Sequence, residues 1–331
     1  MRSLLLILFT WMTAIVYAKD GIFVQMPYNS LAFDLENKNQ IANLQGTYKA
    51  VTVDVENALA YLVVSYGVDS AGHLEIFDIN AKQMVGTIDL IIEEASSNPY
   101  SIVLSSKRGY AYILDTGGNK IVVIDLTNKV QSGSIPLNEA PKSLAISPDQ
   151  NNLVIASADS KSLFVLSLDT HRIYMTIPTD AEPNNVIFSP NNRRVFFSQA
   201  NDTVGVFDLI ARRTIATIPV RHNPQGLVMN PDGSRVYVAC NSNIDGGVSI
   251  IDAKKNTGMG SSQCQLIMAG FPRDCAVNPE STQVFCITSL EDNFILLLGN
   301  DGIADCDDCI NIEGPFTNRP YYSIHYIKLK D

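Results

Sequence analysis

The chain has 331 residues, 46% of them hydrophobic and only 18% charged, and its 34 acidic and 24 basic residues leave a net charge of −10. Globular chains run at about 25% charged, so this composition describes a core-rich folded protein rather than a disordered one. The acidic balance argues against a nucleic-acid partner or an anionic membrane surface, since both are held by clustered Lys and Arg.

Taken from the N-terminus, Arg2 precedes an apolar run from Leu4 to Val16, followed by Tyr17 and Ala18. A basic start, a short apolar stretch and a small-residue ending predict a secretory signal peptide over residues 1–18, cleaved after Ala18. The run is shorter than the roughly 20 residues that span a bilayer. No Cys adjoins the cut, which argues against a lipoprotein. No later segment is long and apolar enough to cross, so the expectation is an exported protein, periplasmic or secreted, without a membrane span.

After the signal come GIFVQMP, SLAFDL and QIANLQG, three β-like runs that read as the second, third and fourth strands of an incomplete unit. From Tyr48 onward a complete unit repeats. Pro99, Pro141, Pro183, Pro224, Pro272 and Pro320 mark its later starts, about 40 to 50 residues apart. Each mark is followed by an apolar strand, a turn such as SPDQ (from Ser147), SPNN (from Ser189) or NPDG (from Asn230), and a second strand such as AYLVVS, NLVIAS or VYVACN. The turns carry the Pro and Asx residues that pre-set turn geometry. A third strand follows, often ending in Asp (KIVVIDL, TVGVFDL, GVSIIDA), and then a fourth, such as IYMTIPT or TIATIPV. Four short strands per repeat, with no helical period, predict propeller blades. The chain ends on Pro320 and YYSIHYIKL, a first strand with nothing after it. Joined to the incomplete unit at the start, it makes one split blade and removes free sheet edges. The expectation is a single all-β domain over residues 19–331, a seven-bladed β-propeller with one blade closed by the N- and C-terminal strands.

The phrase NPQGLVMNPDGSRVYVACN (Asn223–Asn241), followed by GVSIID (Gly247–Asp252), resembles the YVTN-repeat β-propeller family, and TVGVFDLIARRTIATIPV (Thr203–Val220) fits the same pattern. No repeat carries the Trp-Asp pair of WD40 blades, and Gly-Gly pairs, the kelch mark, occur only at Gly117 and Gly246. The resemblance implies the propeller fold. It implies little about activity: similar proteins include exported binding proteins and surface-layer proteins, and related propellers include lactonases and haem- or quinone-linked oxidoreductase subunits.

Catalytic motifs are sparse. No G-x-S-x-G, H-E-x-x-H, P-loop or Rossmann fingerprint occurs. His73, His171, His222 and His325 fall in different repeats. Cys306-Asp-Asp-Cys309 lacks the following His of a haem attachment site, and its acidic surroundings disfavour a reactive thiolate. Export favours disulfides. Cys275 and Cys286 flank the turn 278–283 symmetrically, so they face each other across antiparallel strands, as a bridge or as two small buried hydrophobes. Cys264, Cys306 and Cys309 precede or begin fourth strands on one face of neighbouring blades and are expected to pair among themselves, with connectivity open.

The acidic loop from Asn300 to Cys309 resembles part of a thrombospondin type 3 calcium repeat with one residue missing. Asn300, Asp301, Asp305, Asp307 and Asp308 are its candidate oxygen ligands. The other reading, preferred because the upstream half of the motif is absent, is a solvated acidic loop pinned by a disulfide. No cofactor other than calcium is expected.

A ligand site follows from the repeat. In a propeller, the link into each first strand lies at a mouth of the central tunnel, so the residue after each mark recurs around it. These residues are Lys49, Tyr100, Lys142, Asn184, Gln225, Arg273 and Tyr321, with His222 and Arg319 beside them in the links. Link residues Glu139, Glu182 and Arg221 flank the ring, whose own seven positions hold three cations and no carboxylate. The expectation is a binding or scaffold protein that takes a small anionic ligand or a protein partner there, with Lys142 and Arg273 as charge partners and Tyr100 and Tyr321 as walls. The alternative is a lactonase-like hydrolase, which would cluster His, carboxylates and Arg around the same tunnel.

Overall fold

A computed structural model of the chain describes residues 19–25, 29–34, 40–45, 48–64, 72–91, 98–244, 246–261, 272–278, 283–288, 294–299, 310–311 and 323–329. Among these the regular elements are all β-strands, arranged in four-stranded antiparallel sheets. Strands β1 (Lys19–Gln25), β2 (Asn29–Asp34) and β3 (Gln40–Gln45) come first. Strands β4–β7 follow at Tyr48–Asp54, Leu59–Val64, His73–Asp78 and Gln83–Asp89, and β8–β11 at Pro99–Ser105, Tyr110–Asp115, Lys120–Asp125 and Val130–Pro136. Strands β12–β15 cover Pro141–Ile146, Asn152–Ser157, Ser162–Ser167 and Arg172–Pro178, and β16–β19 cover Pro183–Phe188, Arg194–Gln199, Thr203–Asp208 and Arg213–Pro219. Strands β20–β23 are Pro224–Met229, Arg235–Cys240, Gly247–Asp252 and Thr257–Ser261, and β24–β27 are Pro272–Val277, Gln283–Thr288, Phe294–Gly299 and Ile310–Asn311. The last strand, β28 (Ser323–Leu329), pairs with β1 from Lys19↔Leu329 to Gln25↔Ser323, giving the order β28-β1-β2-β3.

The packing explains the strand composition. In β5, β9, β13, β17 and β21 every residue after the first is buried, so both faces of these strands are covered. A strand covered on both faces reads as a continuous apolar run rather than an alternation. The core lies between sheets. Tyr61, Val63, Leu74 and Ile76 of one sheet pack with Ile102, Ile113, Val122 and Ile124 of the next, and Tyr112, Leu114 and Ile121 pack in turn with Leu144, Leu153 and Ile155. In the sheets whose burial is described the fourth strand is the least buried, and β7 and β15 are mostly exposed. The first strands gather on the inside, β4 against β8, β8 against β12, β12 against β16, β16 against β20, β20 against β24, β24 against β28 and β28 against β4.

Local chemistry fixes the turns. Ser147 Oγ accepts the Asn152 N–H at 2.9 Å, and Ser189 Oγ accepts the Arg194 N–H at 2.8 Å, so the buried serine of each Ser-Pro-Asx turn replaces a missing ladder partner. Among the described residues no helix is long and apolar enough to cross a membrane. The segment 1–18 expected to be a signal peptide, the acidic loop with Asn300, Asp301, Asp305, Asp307 and Asp308, and Cys264, Cys306 and Cys309 lie outside the described residues.

Candidate functional site

Proline heads five of the described inner strands, β8, β12, β16, β20 and β24, and offers no N–H to the ladder, and the pairing skips the residue that follows. The register steps from Pro99 to Ser101, from Pro141 to Ser143, from Pro183 to Asn185 and from Pro272 to Asp274. It steps likewise from Tyr48 to Ala50, and in β20 from Pro224 to Leu227. A bulged residue is left unpaired and its side chain re-aimed. The bulged residues are Lys49, Tyr100, Lys142, Asn184, Gln225 and Arg273, the positions singled out by the repeat.

Five of them, Lys49, Tyr100, Lys142, Asn184 and Gln225, line one cavity of about 550 Å³ between the inner strands. The next turn of the wall is supplied by Ser101, Ser143, Asn185 and Asp274, with Ile102, Leu144, Val186 and Ile187 deeper along the strands. Arg273 lies in β24 with its side chain outside the described residues, and Arg319 and Tyr321 are outside them altogether. His222 does not line the cavity; it stands beside Asn223, which does.

The wall has two unlike arcs. Asn184, Asn185, Asn223, Gln225 and Asn241 make one side rich in amides. These amides are held in place: Asn184 Nδ2 donates to Pro224 O at 2.9 Å, Gln225 Nε2 donates to Asn223 Oδ1 at 2.7 Å, and Asn223 Nδ2 donates to Asn241 O. The other arc carries Lys49, Tyr100 and Lys142, with Tyr100 56% exposed. Ser143 Oγ is buried in this wall without a hydrogen-bond partner.

The charge of Lys142 is offset in this structure: its Nζ lies 2.6 Å from Glu182 Oε1, a carboxylate contributed by the next link. Asp274 adds a carboxylate to the lining that the reading of the post-proline positions alone did not contain. Lys49 makes no ion pair among the described residues, so the accessible positive charge sits on its side of the cavity. Glu139 instead accepts from Ser157 Oγ at 2.7 Å and Ser160 Oγ at 2.5 Å. The residues missed from sequence, Ser143, Asn185 and Asp274, stand two places after their prolines, brought to the wall by a pairing skip that the sequence does not signal.

Cys275 and Cys286 are opposite each other in the register of β24 and β25 and form a disulfide, Cα to Cα 4.1 Å. Cys240 is free and buried, and burial pushes its thiol up to about 11, which keeps it protonated and inert near neutral pH. Among the described residues no group of His, Cys, Asp and Glu could hold a metal ion.

No protein-family model matches the chain, and no curated protein matches it. Solved structures do. A candidate 6-phosphogluconolactonase of Bacteroides uniformis superposes with a TM-score of 0.73 at 13% identity, covering 93% of this chain and 100% of that one. Another, from Bacteroides fragilis, gives 0.72 at 13% identity over 94% and 98% of the two chains. The hydrazine synthase of Kuenenia stuttgartiensis gives 0.63 at 16% identity over 77% of each. At these identities the likeness is one of fold alone.

Proposed function

We propose that the chain is an exported, seven-bladed propeller of the YVTN-repeat kind, closed by β28 against β1, whose central cavity takes a small sugar-acid-like molecule and opens it as a lactonase. The observation that carries the site is the convergence of five bulged residues on one cavity, amides on one side and Lys49 with Tyr100 on the other. Amides both donate and accept, which suits a polyhydroxylated body, while a lysine with no ion pair among the described residues suits an anionic end. Fold likeness to two candidate 6-phosphogluconolactonases over more than nine-tenths of this chain supports hydrolysis as the activity. The ring of neighbouring inner strands and the β28–β1 pairing support seven closed blades, and the Cys275–Cys286 disulfide supports an oxidising compartment.

The test is calorimetry with D-gluconate, together with pH-stat assays on D-glucono-1,5-lactone and its 6-phosphate. Lys49→Met is expected to weaken gluconate binding about tenfold or more, since it removes a charged hydrogen-bond donor. The neutral pair Lys142→Met/Glu182→Gln is expected to change binding about threefold or less, because the two charges already cancel. Gluconate bound equally by wild type and Lys49→Met would move the anion site elsewhere. A second reading, binding without turnover, is favoured by the absence of histidine from the described lining. Gluconate binding with no lactone opening would establish it.

A further inference from the structure

Next to Asn223 of the cavity lining stands a histidine–carboxylate pair that the amide lining does not account for. His222 Nδ1 lies 2.7 Å from Asp202 Oδ2. Burial alone would raise the Asp202 carboxyl, but the Asn223 N–H and the His222 ring together outweigh it and hold the group below the usual carboxylate range. An ionised carboxylate only accepts hydrogen bonds, so the hydrogen is on Nδ1, and Nε2 is left as the basic lone pair in the neutral ring. His222 is about half exposed, so that nitrogen is not locked away in the core.

The pair is a departure from the repeat. In two earlier links the N–H before the proline is capped within its own sheet, Asn98 by Asp115 Oδ1 and Ala140 by Asp159 Oδ2. Asn223 donates instead to Asp202 Oδ1 at 2.8 Å, an aspartate in the β17–β18 turn of the preceding sheet. Asn223 is in the left-handed region at φ 56°, which the equivalent Asn98, Ala140 and Glu182 are not, and Asp202 is there too at φ 61°. Asp202 shares that conformation with Asn119, which precedes β10 as Asp202 precedes β18, so among these links it is Asn223 that departs. The joint effect of the two conformations is to bring Asp202 under His222 and to set the pair next to Asn223, whose side chain touches both Gln225 and Asn241 of the lining.

We propose that His222, oriented by Asp202, is the general base beside the cavity, the role for which the described lining offers only the carboxylate of Asp274. The proposal rests on the lactonase reading above. Nε2 of His222 takes a proton from water as the water oxygen bonds to the lactone carbonyl carbon. The ring C–O bond then breaks, and the leaving ring oxygen receives the proton back from the imidazolium, so the products are the open hydroxy acid and the neutral histidine. Imidazole is a better base than a carboxylate near neutral pH. Among the described residues the charged groups next to His222 are Asp202, in contact, and its chain neighbour Arg221, whose charge acts on the buried Cys240 thiol and whose N–H is bonded to Ser249 Oγ.

The test uses the full chain with D-glucono-1,5-lactone and its 6-phosphate as probes. His222→Gln is expected to lower kcat by about 100-fold or more, with KM changed by about threefold or less and the rise of rate with pH lost. Asp202→Asn keeps an oxygen to cap the Asn223 N–H but turns an amide hydrogen toward Nδ1, forcing the wrong tautomer; it is expected to lower kcat similarly, and Asp202→Glu to restore part of it. Lactone opening by wild type with both variants at wild-type kcat and pH profile would overturn the base assignment and leave the lactonase reading standing. Absence of opening by wild type would overturn both.

Discussion

Asp125, Asp208 and Asp252 end third strands and close the turn that follows, accepting the N–H of Asn128, Ala211 and Lys255 at 2.8 to 2.9 Å. That backbone donor is the main reason each carboxyl is held below its ordinary range. A carboxylate whose pKa is depressed on folding stabilises the protein fully above its unfolded pKa and loses that contribution as pH falls through the folded value. The melting temperature is therefore expected to drop steadily from about pH 5 to about pH 3. The triple variant Asp125→Asn/Asp208→Asn/Asp252→Asn is expected to show a shallower drop, checked by scanning calorimetry across that range. An equal drop would mean that other carboxylates carry the acid sensitivity. The same residue scale shows what a sequence conceals. The spacing of the prolines puts Lys142 and Asn184 on a ring, but no periodicity tells that Glu182 bends back onto Lys142, because a link side chain has no register to fix its direction.

Strand pairing was more legible than any side-chain contact. Strands buried on both faces leave a five-residue apolar run, and Ser-Pro-Asx turns punctuate it, so β12–β15 and β16–β19 could be drawn from the text alone. Their symmetry about the turn also put Cys275 opposite Cys286. What escaped was the skip at the head of each inner strand, since a bulge changes no residue type and is felt only as a pairing that slips by one. At this scale the disulfide joining β24 to β25 closes a short loop of sequence separation 11. Replacing Cys275 and Cys286 together by Ala is expected to destabilise by about 3 kcal/mol on loop-closure grounds, read from urea midpoints at unchanged m-value. A loss confined to early proteolysis of this sheet, with the global midpoint unmoved, would show that the bridge pins one sheet rather than the whole fold.

At the scale of the molecule, stability depends on how the two ends meet. Strand β28 contacts both β24 and β4 as well as pairing with β1, so it belongs to two sheet interfaces and one ladder. Deleting residues 323–329 is expected to bare the β1 edge, lower the melting temperature and drive aggregation, measured by size-exclusion chromatography and calorimetry. A monomer with an unchanged melting temperature would refute closure through this strand. The bulges described above have a consequence for how such a protein changes over generations. Because Tyr100, Lys142 and Asn184 stand outside the ladder while Ile102, Leu144 and Val186 behind them hold the sheets together, a change at a bulged position touches none of the pairing that fixes the sheets. The inner wall can be rewritten one position at a time without redrawing the fold.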